Sequence, residues 1–210
     1  MYNKYITIKG VIILTNKEIT LMTKQKLSKT LKQLMKQKPF SKITVSELIK
    51  ECNVNRKTFY YHFQDIFELL KWTFEQEAFS IVKQYDITKD YEIIISFAYD
   101  YITNNSYIIN CAYDSLGRDV LKSFFCTDIK TVVQSIIKSK EESIGIELTE
   151  DFRTYLCSLY TEGIAGMIIN TAQHPKECSK EKLIEYFSII INNSISSVIK
   201  AFNEKRTTNE

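Results

Sequence analysis

Residues 44–63 read Thr44-Val45-Ser46-Glu47-Leu48-Ile49-Lys50-Glu51-Cys52-Asn53-Val54-Asn55-Arg56-Lys57-Thr58-Phe59-Tyr60-Tyr61-His62-Phe63. The run encodes two short helices and the turn between them. Thr44 can cap a helix through its hydroxyl, and Glu47, three residues on, can reach back to complete a capping box. Val45, Leu48, Ile49 and Cys52 then share one apolar face. Asn53 tolerates the left-handed backbone of a tight turn. Asn55 is placed to cap the next helix, which extends to about Tyr61.

Working upstream, Leu27, Leu31, Leu34 and Met35 form one apolar stripe of a helix over roughly 23–37. Lys38-Pro39 ends it, because a residue before proline avoids helical geometry. Downstream, Asp65 with Glu68 three residues on predicts a second capping box and a fourth helix running to about Tyr85. Three helices with a very short turn between the second and third make a helix-turn-helix.

The third helix decides what this head can hold. At about 100° per residue, Phe59 and Phe63 share a face and anchor the helix on the core. Lys57 and Tyr61 then point the other way, flanked by Thr58 and Tyr60. Exposed aromatic rings are costly unless something covers them. Arg56 and Lys57 occupy the first turn, where the helix dipole disfavours cations by about 0.3–1 kcal/mol each, and a bound phosphate reverses that penalty. Tyr and Thr hydroxyls donate to phosphate oxygens, the Thr methyl suits thymine, and Arg or Lys suits guanine edges.

Charge is distributed in the same sense. The chain has 210 residues and a formal net charge of +3. Residues 23–72 carry eleven Lys/Arg and four Asp/Glu, giving +7, whereas 73–210 carry fourteen and twenty, giving −6. A basic head on an acidic body fits a polyanion partner for the head alone.

Only 5 Gly and 2 Pro are present, too few for the many turns of a β-sandwich or barrel. The fold class expected is all-α: a helix-turn-helix head on a helical body. Body helices are expected near 90–104, 105–114, 117–141, 149–173 and 179–203. Asp90, Thr149 and Ser179 are the expected caps, and Gly117, Gly145 and His174-Pro175 the breaks. Three domains follow: 1–22 as an extension outside the fold, 23–72 as the head, and 73–210 as the body. Met22 stands just before the first clear helical pattern and is a candidate start.

Several function classes find no support. Cys52, Cys111, Cys126, Cys157 and Cys178 are odd in number and contain no CxxC, which fits reduced thiols in a cytoplasmic protein rather than disulfides or zinc. No metal or cofactor is expected. Val11-Ile12-Ile13-Leu14 is too short for a signal peptide, and no stretch could span a membrane. With two histidines, no Gly-rich phosphate loop, no nucleophile elbow and no HExxH, an enzyme is not expected.

The run Thr44-Val45-Ser46-Glu47-Leu48, then Asn55 through Phe63, then Asp65 and Leu69-Leu70, resembles the DNA-binding domain of the TetR family of regulators over residues 24–72. The resemblance implies that Thr58, Tyr60, Tyr61 and His62 meet DNA and that Thr44 touches a phosphate. The family often carries a lysine near the opening of the fourth helix; here that stretch is Gln64-Asp65-Ile66, and Lys71 is a weak substitute. Lys57 replaces a residue that is often small. The DNA-binding set expected is therefore Thr44, Arg56, Lys57, Thr58, Tyr60, Tyr61, His62 and Lys71, with double-stranded DNA as partner.

For the body, the resemblance implies a ligand-binding and dimerisation domain. Gly163, Ala165 and Gly166 allow close helix approach, and the last helices would form a four-helix bundle in a homodimer. Dimer positions expected are Gly163, Gly166, Phe187, Ile191, Ile195 and Val198. Pairing also has its own argument, since one helix-turn-helix reads few base pairs. Crowded aromatics give the pocket set Phe97, Tyr101, Tyr107, Tyr113, Phe125 and Tyr155, suited to a small, mostly apolar effector. Gly163-x-x-Gly166 and Trp72 resemble one branch of the family that includes activators of dihydroxyacetone kinase operons. Three readings follow: an effector-responsive regulator, a co-regulator of the same fold acting through a partner protein, and a helical binding protein with no nucleic-acid role.

Overall fold

A computed structural model describes residues 7–8, 11–12, 15–86 and 89–209. The chain divides into two compact units, Met1–Thr73 and Phe74–Glu210. Each is built almost wholly from helices.

In the first unit, a minimal antiparallel ladder pairs β1 (Thr7–Ile8) with β2 (Val11–Ile12), Thr7 opposite Ile12. Helix α1 spans Asn16–Met35, seven residues earlier than the apolar stripe predicts. Its start is set by Thr15 and Glu18, which form a reciprocal capping box with hydrogen bonds of 3.3 and 2.7 Å. The expected 1–22 extension is thus corrected: residues 16–22 belong to the first helix, and most of the remainder lies outside the described residues. The Thr-x-x-Glu signal was present in the sequence; the opening turns lack the apolar stripe because they bury nothing large, with Ile19, Leu21 and Met22 exposed.

Helix α2 (Val45–Glu51) is capped by Thr44, whose hydroxyl accepts from Glu47 N at 3.2 Å. The other half of the expected box is replaced, because the Glu47 carboxylate turns to the Lys38 ammonium. Asn53 takes the left-handed backbone, at φ 49°, and turns the chain into α3 (Arg56–His62). Helix α4 follows as Ile66–Phe74. Leu27, Leu31, Leu48, Phe59, Leu69 and Leu70 are fully buried and form the core of this unit.

In the second unit the helix beyond α4 passes through a π-turn at Glu75–Phe79 and ends as α5 (Ser80–Val82). Then come α6 (Tyr91–Asn104), α7 (Ser106–Leu116), α8 (Arg118–Ile144), α9 (Glu150–Gln173) and α10 (Lys180–Ile189). A second π-turn, Ile190–Ser194, leads into α11 (Ile195–Asn209). Gly117 and Gly145 break the chain at φ 79° and 74°, conformations that L side chains rarely adopt. Ser179 caps α10, whereas Asp90 turns back to accept from Asp86 N and leaves α6 without a side-chain cap.

The α8–α9 pair forms the centre. Leu121, Phe125, Ile129, Val133 and Ile137 recur at helical spacing along α8, all buried. Glu141 at its end is also buried, held by Arg153 at 3.0 and 3.1 Å and by Leu148 N at 2.7 Å. That cluster closes the α8–α9 connection.

Candidate nucleic-acid interface

Asn55 builds the interface from its first residue. Its side-chain oxygen accepts from both the amide (2.7 Å) and the hydroxyl (3.0 Å) of Thr58. This cap starts α3 and fixes the Thr58 rotamer at once. Phe59 is fully buried and Phe63 nearly so, with ring centres 6.0 Å apart. Full burial of such a ring is worth about 1.5–3 kcal/mol, so the two phenylalanines set the rotation of α3. Tyr61 is consequently thrown outward, 81% exposed, and Tyr60 is 48% exposed.

Lys57 is exposed, and Thr58 and His62 are half-buried at the margin. Arg56 is exposed but engaged: its guanidinium donates to Ser46 Oγ at 3.3 Å and lies 5.7 Å from the Tyr60 ring centre. It therefore ties the first turn of α3 to that of α2 and does not project freely. Thr44 is exposed beside them. Lys71 is half-buried on α4. The helix spans seven residues, so its capacity for DNA rests on side chains and not on an anion site at its end. Burial, and secondarily the charge of Lys24, hold the His62 imidazole below its ordinary value. Ser46 and Lys24 carry no signal in the sequence, because each acts through a residue distant along the chain.

The aromatic set of the body separates into three fates. Phe97 stacks on Tyr101, whose hydroxyl donates to Glu77 at 3.2 Å. Burial and the Glu77 charge push the Tyr101 phenol far above its ordinary value, and Tyr107 beside them is raised by the same two causes. Phe125 is instead core, edge-on to Phe74 with ring centres 5.2 Å apart. Tyr155 is 66% exposed on α9. Tyr113 is half-buried on α7. A cavity of about 210 Å³ lies elsewhere, between the 79–85 segment and α8. Lys83 and Asp128, 2.6 Å apart, line it together with Phe79, Tyr85 and Thr131, and none of the six expected aromatics does.

Among the expected dimer positions, Gly163 is exposed, and Gly166, Phe187, Ile191 and Val198 are half-buried. Ile195 is corrected: it is buried in its own chain, where it belongs to the core with Ile199. Exposed apolar residues near these positions include Tyr155, Leu159 and Met167 on α9, Tyr186 and Ile189 on α10, and Ile190 in the π-turn after it. The five cysteines are free thiols. Among the described residues no cluster of ligating side chains is placed for a metal, and no helix is long and apolar enough to cross a membrane.

This arrangement matches known proteins. A family profile described as bacterial regulatory proteins, tetR family, matches residues 29–71. A second, described as transcriptional regulator C-terminal region, matches residues 89–193. The HTH-type dhaKLM operon transcriptional activator DhaS of Lactococcus lactis subsp. lactis (strain IL1403) is 31% identical over 67 residues, 32% of this chain and 36% of that relative. The chain thus aligns with little more than a third of that relative's length. A solved structure of the dihydroxyacetone kinase operon activator DhaS superposes with a TM-score of 0.62 over 86% of this chain and 98% of that one, at 19% identity, a likeness of fold. With a helix-turn-helix head matched by one profile and half of the chain by the other, the protein belongs to the TetR family of DNA-binding transcriptional regulators and is not an enzyme.

Proposed function

We propose that this regulator works as a cytoplasmic homodimer that lays α3 of each protomer into the major groove of duplex DNA, and that a small molecule in the second unit adjusts its grip. The observation that carries the reading is the orientation of α3: Phe59 is fully buried while Tyr61 is 81% exposed. Tyr61 stands next to Lys57, Thr58, Tyr60 and His62, a set able to donate to phosphate oxygens and base edges. Thr44 adds a hydroxyl at the start of α2, and Lys71 a further cation. The head and the body are proposed as separate functional domains.

Dimerisation is supported by Tyr155, Leu159 and Met167 on α9, which leave an apolar stripe beside Gly163. Phe152 stacks on Phe202 at 4.2 Å and Tyr160 bonds Ser194 at 2.6 Å, so α9 and the 190–209 segment are neighbours. Exposed rings of this kind fit a partner surface. For the effector, the Phe97–Tyr101–Tyr107 group around Glu77 offers apolar walls with polar tips. By likeness to the dhaKLM operon activator, the branch proposed is that of operon activators and the mode of control is activation.

A second reading has one observation in its favour. The opening of α4 presents Asp65 and Glu68, both turned to backbone amides, and no lysine. A head with that phosphate contact missing would lean on a partner protein. Titrating purified protein into duplex DNA of its own promoter region at rising salt separates the readings. The first expects affinity that falls steeply with salt; binding that is absent or insensitive to salt favours the second.

A further inference from the structure

Helix α1 sends Lys24 to the far end of the recognition helix. Its ammonium lies 5.1 Å from the centre of the Phe63 ring and 5.5 Å from that of Trp72. Two ring faces hold the charge in place. Among the described residues it forms no ion pair. His62 stands beside the same ring: its imidazole is 6.4 Å from Phe63 and edge-on to exposed Tyr61 at 4.9 Å. Both Lys24 and His62 are half-buried, so both still reach solvent.

The other charged groups at this end of the head are on α4 and on α3 itself. The Asp65 carboxylate accepts from Glu68 N at 2.8 Å and that of Glu68 from Gln64 N at 2.6 Å, so both are committed to the opening turn of α4. Lys71 is half-buried one turn further on. On α3, Arg56 is drawn away to Ser46. Burial first, and then the charge of Lys24, hold the His62 imidazole below its ordinary value in the free protein.

We propose that Lys24 and His62 form a two-armed seat for one backbone phosphate of duplex DNA, and that filling the seat takes up a proton at His62. The inference rests on the DNA-binding reading above and adds to it a residue of α1 and a dependence on pH. A fixed ammonium beside a neutral imidazole is a site short of one negative charge. A phosphate placed between them cancels the Lys24 field at His62 and adds a hydrogen-bond acceptor, and both changes favour the imidazolium. The proton comes from solvent and stays on the ring while DNA is bound. Affinity therefore falls as pH rises, because the bound state holds the extra proton.

The test is fluorescence anisotropy with a labelled duplex of roughly 30 base pairs, about three helical turns, at constant ionic strength. Wild-type affinity is expected to rise about threefold or more from pH 8 to pH 6, since the complex holds a proton that the free imidazole gives up over that range. His62→Gln should flatten that profile, while His174→Gln, a change in the other unit, should leave it intact. Lys24→Met keeps the aliphatic stem on the two rings and should lower the salt slope by about one; Lys24→Arg should restore the slope. Thermal melting of each variant shows whether it is folded. Binding that depends on salt but is flat in pH, or an unchanged slope in folded Lys24→Met, overturns the phosphate seat and leaves the DNA reading standing. Absence of salt-dependent binding overturns both.

Discussion

Arg56 reaches from the first turn of α3 to Ser46 in the first turn of α2, 3.3 Å from guanidinium nitrogen to hydroxyl. The link joins residues ten apart and braces the two arms of the helix-turn-helix against each other. Its guanidinium also covers the Tyr60 ring. The residue that the sequence offers as a base reader is, in the free protein, a brace. Arg56→Lys loses the planar fork that makes both interactions. It should weaken DNA binding about three- to tenfold at constant net charge, with a melting temperature close to that of wild type; an unchanged affinity would show that the brace is idle.

At Tyr61 the proposed DNA contact can be tested apart from stability. A residue 81% exposed contributes little to the core, and surface substitutions usually change stability by less than about 0.5 kcal/mol. Tyr61→Ala should abolish operator binding in a gel-shift assay and leave the melting curve nearly in place. A large fall in melting temperature would mean that the ring is packed after all.

The cap at Asn55 should behave in the opposite way. Asn55→Ala removes the acceptor for both the Thr58 amide and its hydroxyl. Loss of such a cap costs about 1 kcal/mol. Chemical denaturation followed by circular dichroism should register that loss, together with weaker DNA binding, since α3 and the Thr58 rotamer both depend on it.

The buried carboxylate of Glu141 carries a prediction in pH. Burial alone would raise its pKa, but the Arg153 hydrogen bonds and the Leu148 N–H outweigh it, and the value lies below the ordinary 4.5. A carboxyl with its folded-state pKa depressed adds stability that is fully present above its unfolded value and is lost as pH falls through the folded one. Arg153→Met strands the carboxylate and should cost about 2 kcal/mol near neutrality. The variant regains stability on protonation while the wild type loses it, so the gap should narrow as pH falls through the ordinary carboxylate value of 4.5 and below it. A gap that is constant with pH would dissociate Glu141 from the effect.

Self-association can be tested at one position. Leu159 is 57% exposed on α9, so Leu159→Glu leaves the protomer's core intact. Sedimentation of the wild type should give about twice 24.6 kDa, and the variant should sediment as a single chain at micromolar concentration. A wild type that is already monomeric removes the bundle from the proposal.

Local spacing made much of this molecule legible in advance. Thr44, Asn53 and Asn55 each have one structural use, and each is found in it. The body helices begin and end within about three residues of expectation up to Gln173, because glycine and proline stop helices by their own geometry. The last helix was expected unbroken over 179–203 and is interrupted by a π-turn at Ile190–Ser194. Neither π-turn has a spacing signature of its own.

The order of residues was enough to determine the helical class, the buried face of α3 and the gathering of positive charge in the head, since each depends on neighbours three or four positions apart. Tertiary packing alone decided that Phe125 and Ile195 belong to the core of the chain, that Tyr155 does not, and that Lys24 rests on Phe63 and Trp72. Those outcomes depend on which helices meet and at what rotation. An apolar or aromatic side chain gains similar free energy against any apolar wall, so its own sequence neighbourhood does not say which wall it finds.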